Sequence, residues 1–405
     1  MTYRNIIILS FCQALGLAGV SAVVLLGGLV GTDLAPTEAL ATLPVALLVV
    51  GTAISAVPAA LLMRRVGRRA GFVFAALVAS VAGFTAAAAV IAANFLLFCA
   101  AALLVGVNAA FIQQYRFAAS ESVAPIYVGR AVSLVLLGGI IAGYFGPELA
   151  RSLSDALPAA LYSGSFVGVG VLYAVAAVLL LFIRDVEPPD PREMGGERPL
   201  RAVVRQPLFQ VAVLAAAVAY GVMTFIMTAT PIHLHEMQGH TLGATTTVIQ
   251  SHIIAMYLPS LFSGFIVERL GLPRMLLAGA LVMVTSVLVS LFGVGITAFW
   301  AALVLLGVGW NLLFVGATVL LTRTYTTGER FRAQAVNDFS IFGVRAVASL
   351  FAGTILFLAG WQVLSFIALP PLLLMLALLL WRRRRIAHAP VPAPVTPLPA
   401  AGDGD

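Results

Sequence analysis

Lysine is absent, so all 23 basic residues are arginine. Charge of either sign is scarce, at 10% of the chain against 61% hydrophobic residues, and the mean hydropathy is +1.06. So little charge cannot solvate the surface of a soluble protein of 405 residues, which excludes that class and points to a polytopic membrane protein. Cysteine is nearly absent as well. Cys12 and Cys99 lie far apart, which excludes a CxxC redox motif, a zinc-ligand spacing and a disulfide framework. No nucleophile, base and orienting group stand at a recognisable spacing, so an enzyme is not expected.

What is present is a succession of apolar runs of about 20 residues, the length that crosses a bilayer as a helix. Twelve are expected, at 5–30, 38–62, 70–93, 95–117, 128–150, 160–183, 208–232, 241–266, 275–294, 297–321, 334–359 and 363–381. The first is too long, and too poorly matched to a cleavage site, to be a removed signal peptide. Residues 184–207 are charged and proline-rich, the composition of a cytoplasmic linker. They divide the chain into halves at 1–183 and 208–385, followed by an Ala/Pro-rich tail at 386–405 that is expected to be disordered.

The net charge of +7 has a topological explanation, and nucleic acid is not an expected partner; the lipid bilayer is. With the N-terminus inside, every arginine except Arg151 and Arg345 falls in a cytoplasmic segment. The positive-inside rule then puts both termini in the cytoplasm and residues 233–240 on the outer face.

Four of the five histidines and four of the ten methionines fall between Met223 and Met256. Met223 and Met227 stand four apart in the seventh run, as do His252 and Met256 in the eighth. Residues at i and i+4 share one face of a helix, so each pair presents two donor atoms to one side. Thioether and imidazole together suit a soft cation, Cu(I) above all. The alternative for any single MxxxM is ordinary packing, since Met fills irregular gaps in helix bundles. Counting 1.5 Å per residue from Ile232 and Thr241 puts Met227 about 8 Å deep, Met223 about 14 Å, His252 about 17 Å and Met256 about 23 Å. Met223 and His252 therefore come level near mid-membrane. His233, His235, Met237 and His240 crowd the intervening turn, where they would collect a metal at the outer face or form a polar loop.

Ala60, Arg64, Arg65, Gly67, Arg68 and Arg69, between the second and third runs, resemble the Gly-xxx-Asp-Arg-x-Gly-Arg-Arg loop of the major facilitator superfamily, with Ala60 in place of Gly and Arg64 in place of Asp. Gly264, Glu268, Arg269 and Gly271 repeat the pattern between the eighth and ninth. Two copies in corresponding places signal homologous halves. The expected fold is all-α, with twelve transmembrane helices in two six-helix pseudo-repeat halves. The resemblance implies a cytoplasmic gate closed by charge pairing, with Glu268 as its acid and Arg269, Arg65 and Gly67 as its other members. The run Gly139, Gly143, Gly146 and Pro147 is similar to the glycine-rich fifth helix of many superfamily exporters.

Within the superfamily, MxxxM on the seventh helix and HxxxM on the eighth resemble the CcoA-type copper importers of bacterial inner membranes. That resemblance implies copper uptake into the cytoplasm for assembly of a haem-copper oxidase. Copper is then a transported substrate and not a resident cofactor, and cytoplasmic copper-accepting proteins are partners. Relatives without these motifs move riboflavin or other small organic molecules, which is the alternative reading; a proton-coupled drug exporter and a non-transporting sensor are others. Trp310 and Asn311 fall inside the tenth run, and Asn337, Asp338 and Arg345 inside the eleventh. A charge as deep as Arg345 should face a cavity and pair with an acid or a backbone carbonyl.

Overall fold

In the computed structural model the described residues are 3–122, 128–184, 198–293, 295–326 and 328–388, and they are helical almost throughout. The long helices are α1 (Tyr3–Leu34), α2 (Leu43–Val66), α3 (Arg68–Ile91), α4 (Phe95–Ile112), α5 (Val128–Ser152), α6 (Ser163–Leu180), α7 (Pro207–Ile232), α8 (Leu242–Tyr257), α9 (Leu272–Phe292) and α10 (Gly295–Thr322). A final rod, Arg330–Ala387, is broken at Gly360 (φ 78°, ψ 175°), giving α11 (330–359) and α12 (361–387). These twelve agree with the twelve apolar runs.

Several boundaries differ for physical reasons. The eighth run does not continue to 266. Pro259 has no N–H to donate and its ring crowds the preceding turn, so α8 stops at Tyr257, tightens over Leu258–Phe262 and resumes as Ser263–Leu270. The fourth run breaks at Gln113 and Gln114 and resumes as Tyr115–Glu121. The expected loop before α12 is only the bend at Gly360, and α12 carries Arg382 to Arg385 onward as helix. Of the linker, 185–197 lies outside the described residues, and Leu200–Val204 is a short helix. Of the tail, residues from 389 lie outside them too.

The linker's two ends are held differently. Asn5 Nδ2 donates to the Arg184 carbonyl and Arg184 N donates to Asn5 Oδ1, both at 3.0 Å. Arg198 donates from Nε and Nη2 to the Glu329 carboxylate at 2.6 and 2.7 Å.

Packing in the first six helices recurs in the last six. α1 packs on α5, α3 on α6, and α4 on both α2 and α3; α7 and α9 pack on the final rod, and α10 on both α8 and α9. Thr228 Oγ1, 3.1 Å from Ser349 Oγ, joins α7 to α11, and Trp361 Nε1, donating to Ser290 Oγ at 2.9 Å, joins α12 to α9. Gly67 (φ 86°, ψ 158°) and Gly271 (φ 76°, ψ 152°) hold the same left-handed turn at the N-termini of α3 and α9, a conformation that costs glycine least. The offset between them also relates Leu48 to His252, and both carbonyls meet a glycine of a neighbouring helix. A Cβ on Gly106 would overlap the Leu48 oxygen, and one on Gly307 would lie 2.6 Å from the His252 oxygen. Small residues at those points let two backbones approach. Between the two sets, α5 packs on α8 and α2 on the final rod. Gln250 Nε2 donates to the Tyr144 carbonyl at 2.9 Å.

Candidate solute-binding site

Met223, Met227, His252 and Met256 are all buried, His252 completely. α7 packs on the final rod, α10 and α1, and α8 packs on α10 and α5, so the two pairs stand on helices that each lean on α10. His252 Nδ1 lies 2.7 Å from the Leu303 carbonyl, and its Nε2 has no partner. The Met256 carbonyl accepts from Asn311 Nδ2 at 2.6 Å. Among the described residues, no three His, Cys, Asp or Glu side chains gather as a metal site.

Residues 233–240 do not form a simple polar loop. His233–Met237 extends α7 by one widened turn. His233 is drawn inward, its ring stacked on Trp361 with centroids 4.5 Å apart and 5.2 Å from Phe299. His235 Nδ1 lies 2.8 Å from the His240 carbonyl, while Met237 is exposed. Of the gate residues, Arg65 and Arg269 are exposed and Gly67 caps α3; the Glu268 side chain lies outside the described residues.

Arg345 requires a correction. Its expected partner, an acid or a backbone carbonyl, is instead a hydroxyl and a ring. Nε donates to Thr224 Oγ1 of α7 at 3.2 Å, and Cζ lies 4.5 Å from the centre of the Tyr220 ring. Tyr220 is one turn from Thr224, so the same helical face supplies both contacts.

Tyr220 opens an aromatic cluster. Trp310 and Phe314 of α10 stack on each other with centroids 5.0 Å apart, and each meets Tyr220 edge-on at 4.8 Å. Tyr257, at the end of α8, approaches Trp310 at 6.4 Å. Trp310 is 3% exposed, yet its Nε1 has no hydrogen-bond partner. Asp338 lies two turns before Arg345 and accepts from Asn337 Nδ2 at 3.1 Å.

Trp310 and Arg345 were visible in the sequence as costly residues within apolar runs, but Tyr220, Tyr257 and Phe314 were not singled out. Their signal was present: Tyr220 is one turn before Met223, and Tyr257 follows Met256. A search for sulfur and nitrogen donors passes over aromatic neighbours. The cluster offers ring faces, one cation held against a ring and one unpaired N–H, a combination that suits a planar organic molecule better than a bare ion.

A family model, Major Facilitator Superfamily, matches residues 6–258 and 236–402. The chain belongs to that superfamily. The riboflavin transporter RfnT of Brucella anthropi is 40% identical over 94% of this chain and 96% of its own. The uncharacterized MFS-type transporter YdeG of Bacillus subtilis is 30% identical over 94% of this chain and 92% of its own. The fold matches the crystal structure of a bacterial homolog to the human lysosomal transporter Spinster, in an inward-facing and occupied conformation, with TM-score 0.74 and 14% identity over 95% of this chain and 98% of that one. It also matches the human organic anion transporter MFSD10 (TETRAN), with TM-score 0.69 and 14% identity over 93% and 99%. The chain is therefore a multi-pass membrane transporter of this superfamily.

Proposed function

We propose that this transporter imports a planar, aromatic organic solute of the riboflavin class across a bacterial inner membrane, with both termini in the cytoplasm. The observation that carries the reading is Arg345, a cation inside the bundle that lies against the Tyr220 ring with only Nε engaged. Burying a guanidinium without a carboxylate is costly, and a solute rich in acceptors would offset that cost when it arrives. The relative named for riboflavin transport supports the same substrate class. Residues 1–183 and 208–385 would act as two bodies rocking about the central solute, with 184–207 as their tether. In this reading α5, α2 and their counterparts α8 and α11 form the contact between bodies. Uptake of radiolabelled riboflavin by cells expressing the chain tests the proposal. Uptake no greater than in vector-only cells would remove riboflavin as cargo.

One observation favours a second reading, copper import toward cytoplasmic acceptor proteins. His252 Nε2 is fully buried and unpartnered, one turn from the Met256 thioether, and a soft cation would complete it. Radioactive copper uptake in the same cells, with Met223→Leu and His252→Leu as variants, separates the two cargoes.

A further inference from the structure

We propose that Trp310 Nε1 and the guanidinium of Arg345 form a donor pair that reads the carbonyl edge of a planar heteroaromatic solute. The site would then select rings bearing two carbonyl groups along one edge over bare aromatic rings. The inference rests on the organic-solute reading above and deepens it. Two independent features lead to it. The indole N–H is buried at 3% exposure with no acceptor, and an unmade hydrogen bond of this kind is retained only where something else completes it. Arg345, for its part, spends Nε on Thr224 and leaves both Nη atoms uncommitted among the described residues. No described carboxylate lies within salt-bridge distance of it.

Tyr220 links the two donors. The guanidinium covers its face at 4.5 Å while Trp310 meets it edge-on at 4.8 Å, so both donors border one aromatic wall. Phe314, stacked on Trp310 at 5.0 Å, fixes the indole plane. The wall supplies dispersion and stacking to any flat ring, but only a ring with acceptors at its edge satisfies the donors. One cation beside one neutral N–H suits a pair of partly negative carbonyl oxygens.

The test is riboflavin uptake with two flat three-ring competitors, alloxazine, which carries the dione edge, and phenazine, which carries no carbonyl. The parent should be inhibited by alloxazine and far less by phenazine. Trp310→Phe keeps a smaller aromatic ring against Phe314 and removes the N–H. It should raise KM about tenfold, with maximal rate little changed, and narrow the preference for alloxazine by a similar factor. Arg345→Lys keeps the charge without the fork and should act in the same direction, which guards against a folding failure of the tryptophan variant. Unchanged KM and preference in both variants would overturn the inference. If the parent takes up no riboflavin, the function reading fails, and the donor pair is judged by thermal stabilisation of the purified transporter. Stabilisation by alloxazine over phenazine that disappears in Trp310→Phe supports the pair, and no preference in the parent overturns it.

Discussion

In the α2–α4 seam, Thr52 Oγ1 lies 2.9 Å from the Leu48 carbonyl and 3.0 Å from that of Gly106, closing the polar groups on one another. The counterparts of Leu48 and Thr52 in the α8–α10 seam are His252 and Met256. There His252 Nε2, Trp310 Nε1 and Asn311 Oδ1 are buried without partners, as are the hydroxyls of Thr245 and Thr246. Asn108 Oδ1 is the comparable atom on α4. All four tryptophans and four of the five histidines of the chain also lie in the second half. The two seams thus repeat a backbone geometry, glycine against carbonyl, while their side chains diverge. Among the described residues the first seam leaves one such atom on α4, Asn108 Oδ1, and the second holds several donors and acceptors in reserve. Unpaired buried groups are costly, so their concentration among the described residues of the second seam fits the proposal that the solute is read there.

The largest effect should come from the glycines that set both seams. A methyl at Gly106 would overlap the Leu48 carbonyl oxygen, whereas at Gly307 it would lie 2.6 Å from the His252 oxygen and 3.0 Å from the Ala255 methyl. Overpacking of this kind typically costs about 1–3 kcal/mol. Gly106→Ala should sit at the upper end, because the clash is with backbone in a seam that has no slack. The thermal midpoints of the two purified variants decide the order. A larger loss from Gly307→Ala would show that the second seam is the tighter one.

A smaller effect separates the two clasps on the linker. The hydrogen bonds from Arg198 hold the Glu329 carboxyl down to about 2, helped by backbone N–H donors from Thr326 and Arg198. An unfolded glutamate titrates near 4.3. The stabilisation is therefore complete above that range and is lost as pH falls from it through about 2. Glu329→Gln should destabilise the protein at pH 7 by about 1 kcal/mol, read as a lower thermal midpoint, and its deficit should shrink as pH drops from 5 toward 3. The Asn5 clasp has no titrating member, so the deficit of Asn5→Ala should stay constant over the same range. Parallel pH profiles for the two variants would remove the distinction.

Much of this architecture was legible in the chain. Apolar length gave all twelve spans, because a bilayer imposes one length on every crossing helix, and the repeat was suggested by the similar loop motifs around Gly67 and Gly271, two glycines that share a positive φ in the structure. The break at Pro259 was equally visible, yet the apolar run continued past it and masked the stop. The site was less legible. Four donor residues at helical spacing drew attention to Met223, Met227, His252 and Met256, while the cluster around Arg345 draws on α7, α8, α10 and α11, which only tertiary packing brings together. Its members Tyr220, Phe314 and Tyr257 carry no spacing signature, since an aromatic residue in a membrane helix is ordinary. Arg345 was flagged by cost alone, and its ring partner could not be foreseen from residues more than a hundred positions away.

The smallest expected effect is the sharpest test of the comparison. His252→Leu gives the second seam the residue that the first carries at Leu48. The Leu303 carbonyl loses its imidazole neighbour at 2.7 Å but stays within the α10 hydrogen-bond ladder, and the unpartnered Nε2 disappears. These changes oppose each other, so stability should move by no more than about 1 kcal/mol either way. If cargo is read by Trp310 and Arg345, riboflavin uptake by His252→Leu should stay within about twofold of the parent, a barrier change well under the 1.4 kcal/mol that a tenfold effect requires. If the seam's reserve of unpaired groups exists for copper, the same variant should fold normally and lose copper uptake. Met223→Leu should share that loss, because the swap nearly keeps volume while removing sulfur. Measured side by side for both solutes, the pair of variants shows whether His252 departs from Leu48 because the second half binds an ion there, or only because that half tolerates polar groups its counterpart excludes.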